Sequence, residues 1–135
     1  MTERQLDEYL EYLKSFGSKP GLDSIKELCK KLGNPQDYLK FIHVAGTNGK
    51  GSVCAYLSSV FKEAGMKTGR YTSPAVFDYR ERFVINEKPA GKKIFLQYME
   101  RVKNVCDEMV SEGLGQPTVF EVETALAFLY FFVKK

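Results

Sequence analysis

The segment from Gly46 to Ser52 contains the residue types that bind phosphate groups in proteins. Its sequence is Gly-Thr-Asn-Gly-Lys-Gly-Ser, between a short apolar run and a helical pattern. Glycines let the backbone turn tightly and direct several N–H groups at one anion. A helix that begins there adds unpaired N–H groups and the positive end of its dipole. Lys50 adds a mobile cation, and Thr47 and Ser52 add hydroxyl groups for phosphate or Mg²⁺. The segment therefore predicts a site for nucleotide phosphates.

This loop differs from the general Walker A pattern, G-x-x-x-x-G-K-[ST]. That pattern would place a glycine at Val44 and a hydroxyl residue at Gly51. The alternative is a plain glycine-rich turn between a strand and a helix. Such a turn does not explain a lysine at the start of a helix, where the dipole disfavours a cation. We therefore interpret the loop as phosphate-binding, with these residues: Gly46, Thr47, Asn48, Gly49, Lys50, Gly51 and Ser52.

The elements on either side of the loop predict how it is positioned. Residues 41–45 form a short apolar run that predicts a buried strand, with His43 as a core or sheet-face residue. Apolar residues then recur at helical spacing up to Gly65, and residues 67–72 predict a second strand. A strand–helix–strand unit implies a parallel pair with a right-handed crossover. The predicted fold class is α/β, a P-loop-type parallel sheet flanked by helices.

The remaining elements are predicted from caps and apolar spacing. Thr2 with Gln5, and Thr118 with Glu121, fit capping boxes that open helices. The first box opens a helix that ends before Gly17, and a second helix runs from Asp23 to the stop at Gly33-Asn34-Pro35. A strand at 83–85 is followed by a turn at 86–89. A long helix then covers 91–112, and the second box opens a largely buried helix that extends to Lys134.

Composition excludes several classes of protein. A chain of 135 residues suits one compact domain, and its net charge of +3 is too small to indicate a nucleic-acid partner. The longest apolar run has nine residues, whereas a membrane span needs about 20. Three scattered cysteines and a single histidine argue against a zinc site. We expect a cytoplasmic protein with reduced thiols and no membrane partner.

Three segments together resemble a known family. They are Leu-Gly-Asn-Pro-Gln at 32–36, the run at 42–52, and Tyr-Thr-Ser-Pro at 71–74. In this combination the chain is similar, from residue 4 onward, to folylpolyglutamate synthase/dihydrofolate synthase of the Mur ligase superfamily. The Lys-Gly-Ser order favours the folate branch, because the peptidoglycan ligases usually have the hydroxyl residue directly after the lysine. Glu81-Arg82 and residues 118–126 also resemble this family.

The resemblance implies ATP-dependent amide ligation with ATP and Mg²⁺ as cofactors. ATP would phosphorylate a carboxylate of dihydropteroate or of a folate polyglutamate, and the amino group of L-glutamate would attack the acyl phosphate. By position, residues 49–52 would hold the triphosphate, and Lys50 would stabilise the transferred phosphoryl group. Ser73 would be the Mg²⁺ ligand, and Pro74 and Arg82 would border the folate site. The full-length enzyme is expected to be a cytoplasmic monomer.

The chain also departs from the family pattern. Ala75-Val76 stands where many relatives have His-Leu. The family's Glu-x-Gly-x-Gly-Gly element, a later histidine ligand, a modified lysine and a C-terminal glutamate-binding domain would all follow Lys135. The resemblance therefore implies that residues 1–135 are the N-terminal part of the ATP-binding domain and are inactive alone. The alternatives are another P-loop ATPase or kinase and a non-catalytic nucleotide-binding module; the Ser73-Pro74 element favours the ligase.

Overall fold

The computed structural model describes residues 1–72 and 78–135. It divides the chain into two compact units, residues 1–39 with 93–134 and residues 40–92 with Lys135, a division that the chain length does not predict. In chain order the elements are α1 (Glu3–Lys14), α2 (Asp23–Lys31), a 3-10 helix (Pro35–Tyr38), α3 (Lys50–Glu63), β1 (Gly69–Tyr71), a second 3-10 helix (Tyr79–Arg82), β2 (Phe83–Ile85), β3 (Lys88–Pro89), α4 (Lys92–Ser111) and α5 (Val119–Val133).

The first unit is helical, and its helices follow the predicted spacing. Helix α5 packs against α1, α2 and the first 3-10 helix. Its core includes Leu13, Leu28, Met99 and Leu126, each fully buried. The apolar pattern therefore predicted both the helices and the faces that they bury.

Both predicted capping boxes are confirmed. The Gln5 N–H donates to the Thr2 hydroxyl at 3.1 Å, and the Thr2 N–H donates to the Gln5 side chain at 2.8 Å. At the start of α5, Glu121 Oε1 accepts hydrogen bonds from the N–H and the hydroxyl of Thr118, each at 3.0 Å. Such a cap stabilises a helix by about 1 kcal/mol. Glu121 therefore has a structural role, as its spacing from Thr118 predicted.

The second unit contains a three-stranded sheet in the order β1–β2–β3, and both pairs are antiparallel. Strand β1 pairs with β2 in a register that places Arg70 opposite Val84. Strands β1 and β2 lie within the predicted segments 67–72 and 83–85. The α/β class is confirmed, but the three strands are not the predicted parallel arrangement.

The predicted strand at 41–45 is wrong for this structure. These residues form no regular element, and the side chains of Phe41 and Ile42 are 56% and 61% exposed. His43 is exposed as well, so it is not a core histidine. An apolar run becomes a strand only where a neighbouring strand satisfies its N–H and C=O groups. In the described residues β1 uses β2 as its partner, and the parallel crossover pair does not form.

The cysteines give a direct chemical test of the fold. All three are free thiols, with Cys29 and Cys106 buried and Cys54 partly exposed. Burial raises the pKa of Cys29 to about 11 and that of Cys106 to about 12, so neither forms thiolate at neutral pH. We expect iodoacetamide at pH 8 to modify Cys54 well before the other two, as measured by mass spectrometry, and all three after denaturation. The Cys54→Ser variant should lose the native labelling, and labelling of Cys106 as fast as Cys54 would contradict the assigned core.

Across the described ranges, 1–72 and 78–135, no helix combines the length and the apolar character needed to cross a membrane.

Candidate phosphate-binding site

The loop of residues 46–52 leads directly into helix α3. Helix α3 begins at Lys50, and its first intrahelical hydrogen bond runs from the Val53 N–H to the Gly49 carbonyl at 3.0 Å. The N–H groups of Lys50, Gly51 and Ser52 lie ahead of that bond and have no intrahelical acceptor. Like the positive end of the helix dipole, these N–H groups are directed out of the N-terminal end of α3.

Gly49 is the residue that makes this helix start different from those of α1 and α5. It is the N-cap of α3 and has a φ of 78°, in the left-handed region that glycine tolerates best. Since glycine has no side chain, no cap hydroxyl or carboxylate accepts a hydrogen bond from the first turn, and that turn contains no acidic residue. The N–H groups therefore remain available to an external anion.

The loop is open to solvent. All seven of its residues are exposed, including Lys50. A Cβ atom built on Gly49 or on Gly51 would meet no other atom within 4 Å, so the space beside the loop is open. An exposed cation beside several free N–H groups is an arrangement that can bind a polyphosphate, and the residues present fit the predicted nucleotide.

Three of the predicted site residues are not part of the loop: Ser73, Pro74 and Arg82. Ser73 and Pro74 lie outside the described residues, whereas Arg82 is described. Arg82 ends the second 3-10 helix, where its Nε donates to the Thr72 carbonyl at 3.1 Å. Its guanidinium carbon lies 5.6 Å from the ring centre of Tyr71 and 5.5 Å from that of Tyr79. Both distances are within the range of a cation–π contact.

The turn before Arg82 is held by a charged cap. Asp78 accepts hydrogen bonds from the side chain of Arg80 at 2.8 Å and from its backbone N–H at 2.9 Å. These bonds hold the pKa of the Asp78 carboxyl below its usual range. The cap is therefore intact at neutral pH and weakens only as the pH falls through that lowered pKa.

The described residues do not form a protein cage for a metal. Within 1–72 and 78–135, no group of three or more His, Cys, Asp and Glu side chains lies together. Mg²⁺ usually takes one or two protein ligands and completes its shell with phosphates and waters.

Two residues of this unit were not identified from the sequence. Ser58, in the middle of α3, donates a hydrogen bond to Glu87 at 2.8 Å, and Glu87 also pairs with Arg70 at 3.7 Å. The sequence signal for Glu87 was the turn Asn86-Glu87. A two-residue hairpin turn usually has Asn-Gly, so a glutamate at the second position is unusual.

Comparisons with known proteins extend these observations. No protein-family model matches the sequence. Dihydrofolate synthase/folylpolyglutamate synthase of Bacillus subtilis is 41% identical over 116 residues, which is 86% of this chain and 27% of that protein. The crystal structure of folylpolyglutamate synthase from Thermotoga maritima superimposes with a TM-score of 0.84 at 41% identity, over 94% of this chain and 30% of that one. An FPGS–AMPPCP–folate complex gives a TM-score of 0.85 at 32% identity, over 95% of this chain and 32% of that one.

Fold and site together define an α/β protein in which a glycine-rich loop opens a helix. Sequence identity and structural similarity at these levels confirm the resemblance seen in the sequence. Over the stretch that it covers, the chain belongs to the folylpolyglutamate synthase/dihydrofolate synthase family. It spans only about a quarter of the length of the Bacillus relative, at 27%.

Proposed function

We propose that the chain supplies the ATP-binding part of an ATP-dependent ligase that adds L-glutamate to dihydropteroate or to a folate. The carrying observation is the exposed glycine loop at the uncapped start of α3. The names of the relatives support a folate-related synthase, and the solved complex with AMPPCP and folate supports both kinds of ligand. On this proposal residues 1–135 are the N-terminal part of the ATP-binding domain.

The loop residues have distinct roles in this proposal. When bound, ATP supplies the phosphoryl group that activates the substrate carboxylate. The N–H groups of Lys50, Gly51 and Ser52 donate to phosphate oxygens, because they lack intrahelical acceptors. The Lys50 ammonium group neutralises charge on the phosphoryl group during transfer. Thr47 and Asn48 shape the loop between Gly46 and the helix.

The proposal extends to the metal and to the folate. We assign Ser73 as the protein ligand of Mg²⁺, with phosphates and waters completing the shell. Pro74 and Arg82 are assigned to the border of the folate site. The contacts of Arg82 with the rings of Tyr71 and Tyr79 support this assignment, because a guanidinium whose motion is already restrained loses less freedom when it binds a carboxylate. The free thiols are in keeping with the expected cytoplasmic location.

A binding and turnover experiment tests the function of these 135 residues. We expect the chain to bind MgATP in titration calorimetry but to form no ADP when a folate and L-glutamate are added. Ligation must position three substrates, and the chain spans 27% of the length of its Bacillus relative.

The other outcomes discriminate between the alternatives. ADP formation that depends on both folate and glutamate would show that these residues suffice for ligation. Phosphorylation of an acceptor without glutamate would favour a kinase. A chain that does not bind MgATP would contradict the nucleotide site itself.

A further inference from the structure

Helix α3, which carries the loop, is joined to the sheet by a polar contact. Of its fourteen residues, all of which the structure describes, only Ser58 is buried, at 3% exposure. The Ser58 hydroxyl donates to Oε1 of Glu87 at 2.8 Å. The other carboxylate oxygen, Oε2, lies 3.7 Å from Nη2 of Arg70 in β1. One carboxylate therefore links the helix, the first strand and the turn that follows β2.

The backbone at Glu87 is unfavourable for a glutamate. Asn86 and Glu87 form the two-residue turn between β2 and β3, with φ values of 49° and 68°. Turns with two positive φ angles prefer glycine at the second position. A strained residue persists where its surroundings require it, and such strain indicates a functional constraint. Glycine would suit this turn better. We therefore attribute the glutamate at this position to the contacts that its side chain makes with Ser58 and Arg70.

The contact lies where it can orient the loop. Ser58 is eight residues after Lys50, about 12 Å along a rigid helix. A bond at that point fixes how the helix is rotated and where its first turn points. Apolar packing of α3 adds only a partial restraint. Val53, Tyr56 and Val60 are 45%, 74% and 62% exposed, while Leu57 and Phe61 are half-buried.

We infer that Glu87 is a positioning residue for the phosphate-binding loop and acts through Ser58. This inference rests on the proposed nucleotide site. Glu87 itself contacts no nucleotide. It limits the motion of α3, so that Lys50 and the free N–H groups meet the phosphates already oriented, and less freedom is lost on binding.

The Glu87→Gly variant separates positioning from stability. It relieves the strained turn but leaves the buried Ser58 hydroxyl without its acceptor. Because these two effects on stability oppose each other, we expect a nearly unchanged Tm together with an MgATP affinity about tenfold lower. A purely structural role would lower Tm and affinity together. The Glu87→Gln variant keeps an oxygen acceptor for Ser58, and its affinity should stay within about twofold of the wild type. Equal MgATP affinity in Glu87→Gly and the wild type would overturn the inference.

Two further variants locate the effect in the Ser58–Glu87 contact. Ser58→Ala should lose as much affinity as Glu87→Gly, and the double variant should lose no more than either, because both remove the same bond. Asn86→Gly changes the same turn and removes the hydrogen bond from the Thr68 N–H to Asn86 Oδ1, but it leaves Ser58, Glu87 and Arg70 in place. Its affinity should therefore match the wild type. Additive losses in the double variant would show that the two residues act independently.

Amide hydrogen exchange provides a readout that needs no nucleotide. In Glu87→Gly, the amides of residues 53–57 should exchange faster than in the wild type. If the wild type fails to bind MgATP, the proposed nucleotide site is wrong, whereas the exchange rates still decide whether Glu87 restrains α3. Unchanged exchange in Glu87→Gly would contradict that restraint.

Discussion

Replacing Lys50 by alanine is expected to abolish MgATP binding while the chain remains folded. Lys50 is exposed at the first position of α3, and its backbone N–H has no intrahelical acceptor. A charged hydrogen bond typically contributes about 1.5–3 kcal/mol, and one lysine can contact two phosphates. The combined loss would take the affinity below the range that titration calorimetry detects.

The fold should tolerate this change, because a lysine at a helix N-terminus opposes the dipole and alanine favours the helix. Far-UV circular dichroism and Tm should therefore be unchanged or slightly improved. Lys62→Ala is the matched control, since Lys62 is also exposed on α3 but lies in the last turn, away from the loop. MgATP affinity should survive in Lys62→Ala. Unchanged affinity in Lys50→Ala would refute the assignment of the loop.

Features that depend on neighbouring residues could be predicted from the sequence. The capping boxes at Thr2 and Thr118 are four-residue patterns, and the hydrogen bonds that they predict are present. The glycine loop likewise predicted the start of α3, because the conformation of Gly49 and the helix that follows are properties of adjacent residues. Local chemistry therefore determines most of the helices and the backbone of the candidate site.

Features that depend on distant residues could not be predicted in the same way. The apolar run at 41–45 fits a buried strand, but a strand also needs a partner, and periodicity does not identify one. The helical spacing of Val53, Tyr56 and Val60 predicted α3 correctly, yet these side chains are exposed. The Ser58–Glu87 contact joins residues 29 positions apart, so the local pattern that makes Glu87 unusual in its turn does not identify its partner.

The second large effect is expected in the core of the helical unit. Replacing Leu126 by alanine should destabilise that unit by about 2–5 kcal/mol, because Leu126 is fully buried in α5. The loss combines the transfer free energy of the missing methyl groups with that of the cavity they leave. A small domain is stable by only about 5–15 kcal/mol, so this change removes a large share. Urea denaturation followed by the helical circular dichroism signal measures it.

Phe120→Ala on the same helix shows whether burial causes this effect. Phenylalanine is larger than leucine, but Phe120 is 65% exposed, so its removal leaves little cavity and should change stability by about 0.5 kcal/mol or less. Both variants leave the box between Thr118 and Glu121 intact, and neither removes a charge. If side-chain size rather than burial determined the loss, Phe120→Ala would be the more damaging change. An equal or larger loss in Phe120→Ala would therefore contradict the packing assigned to α5.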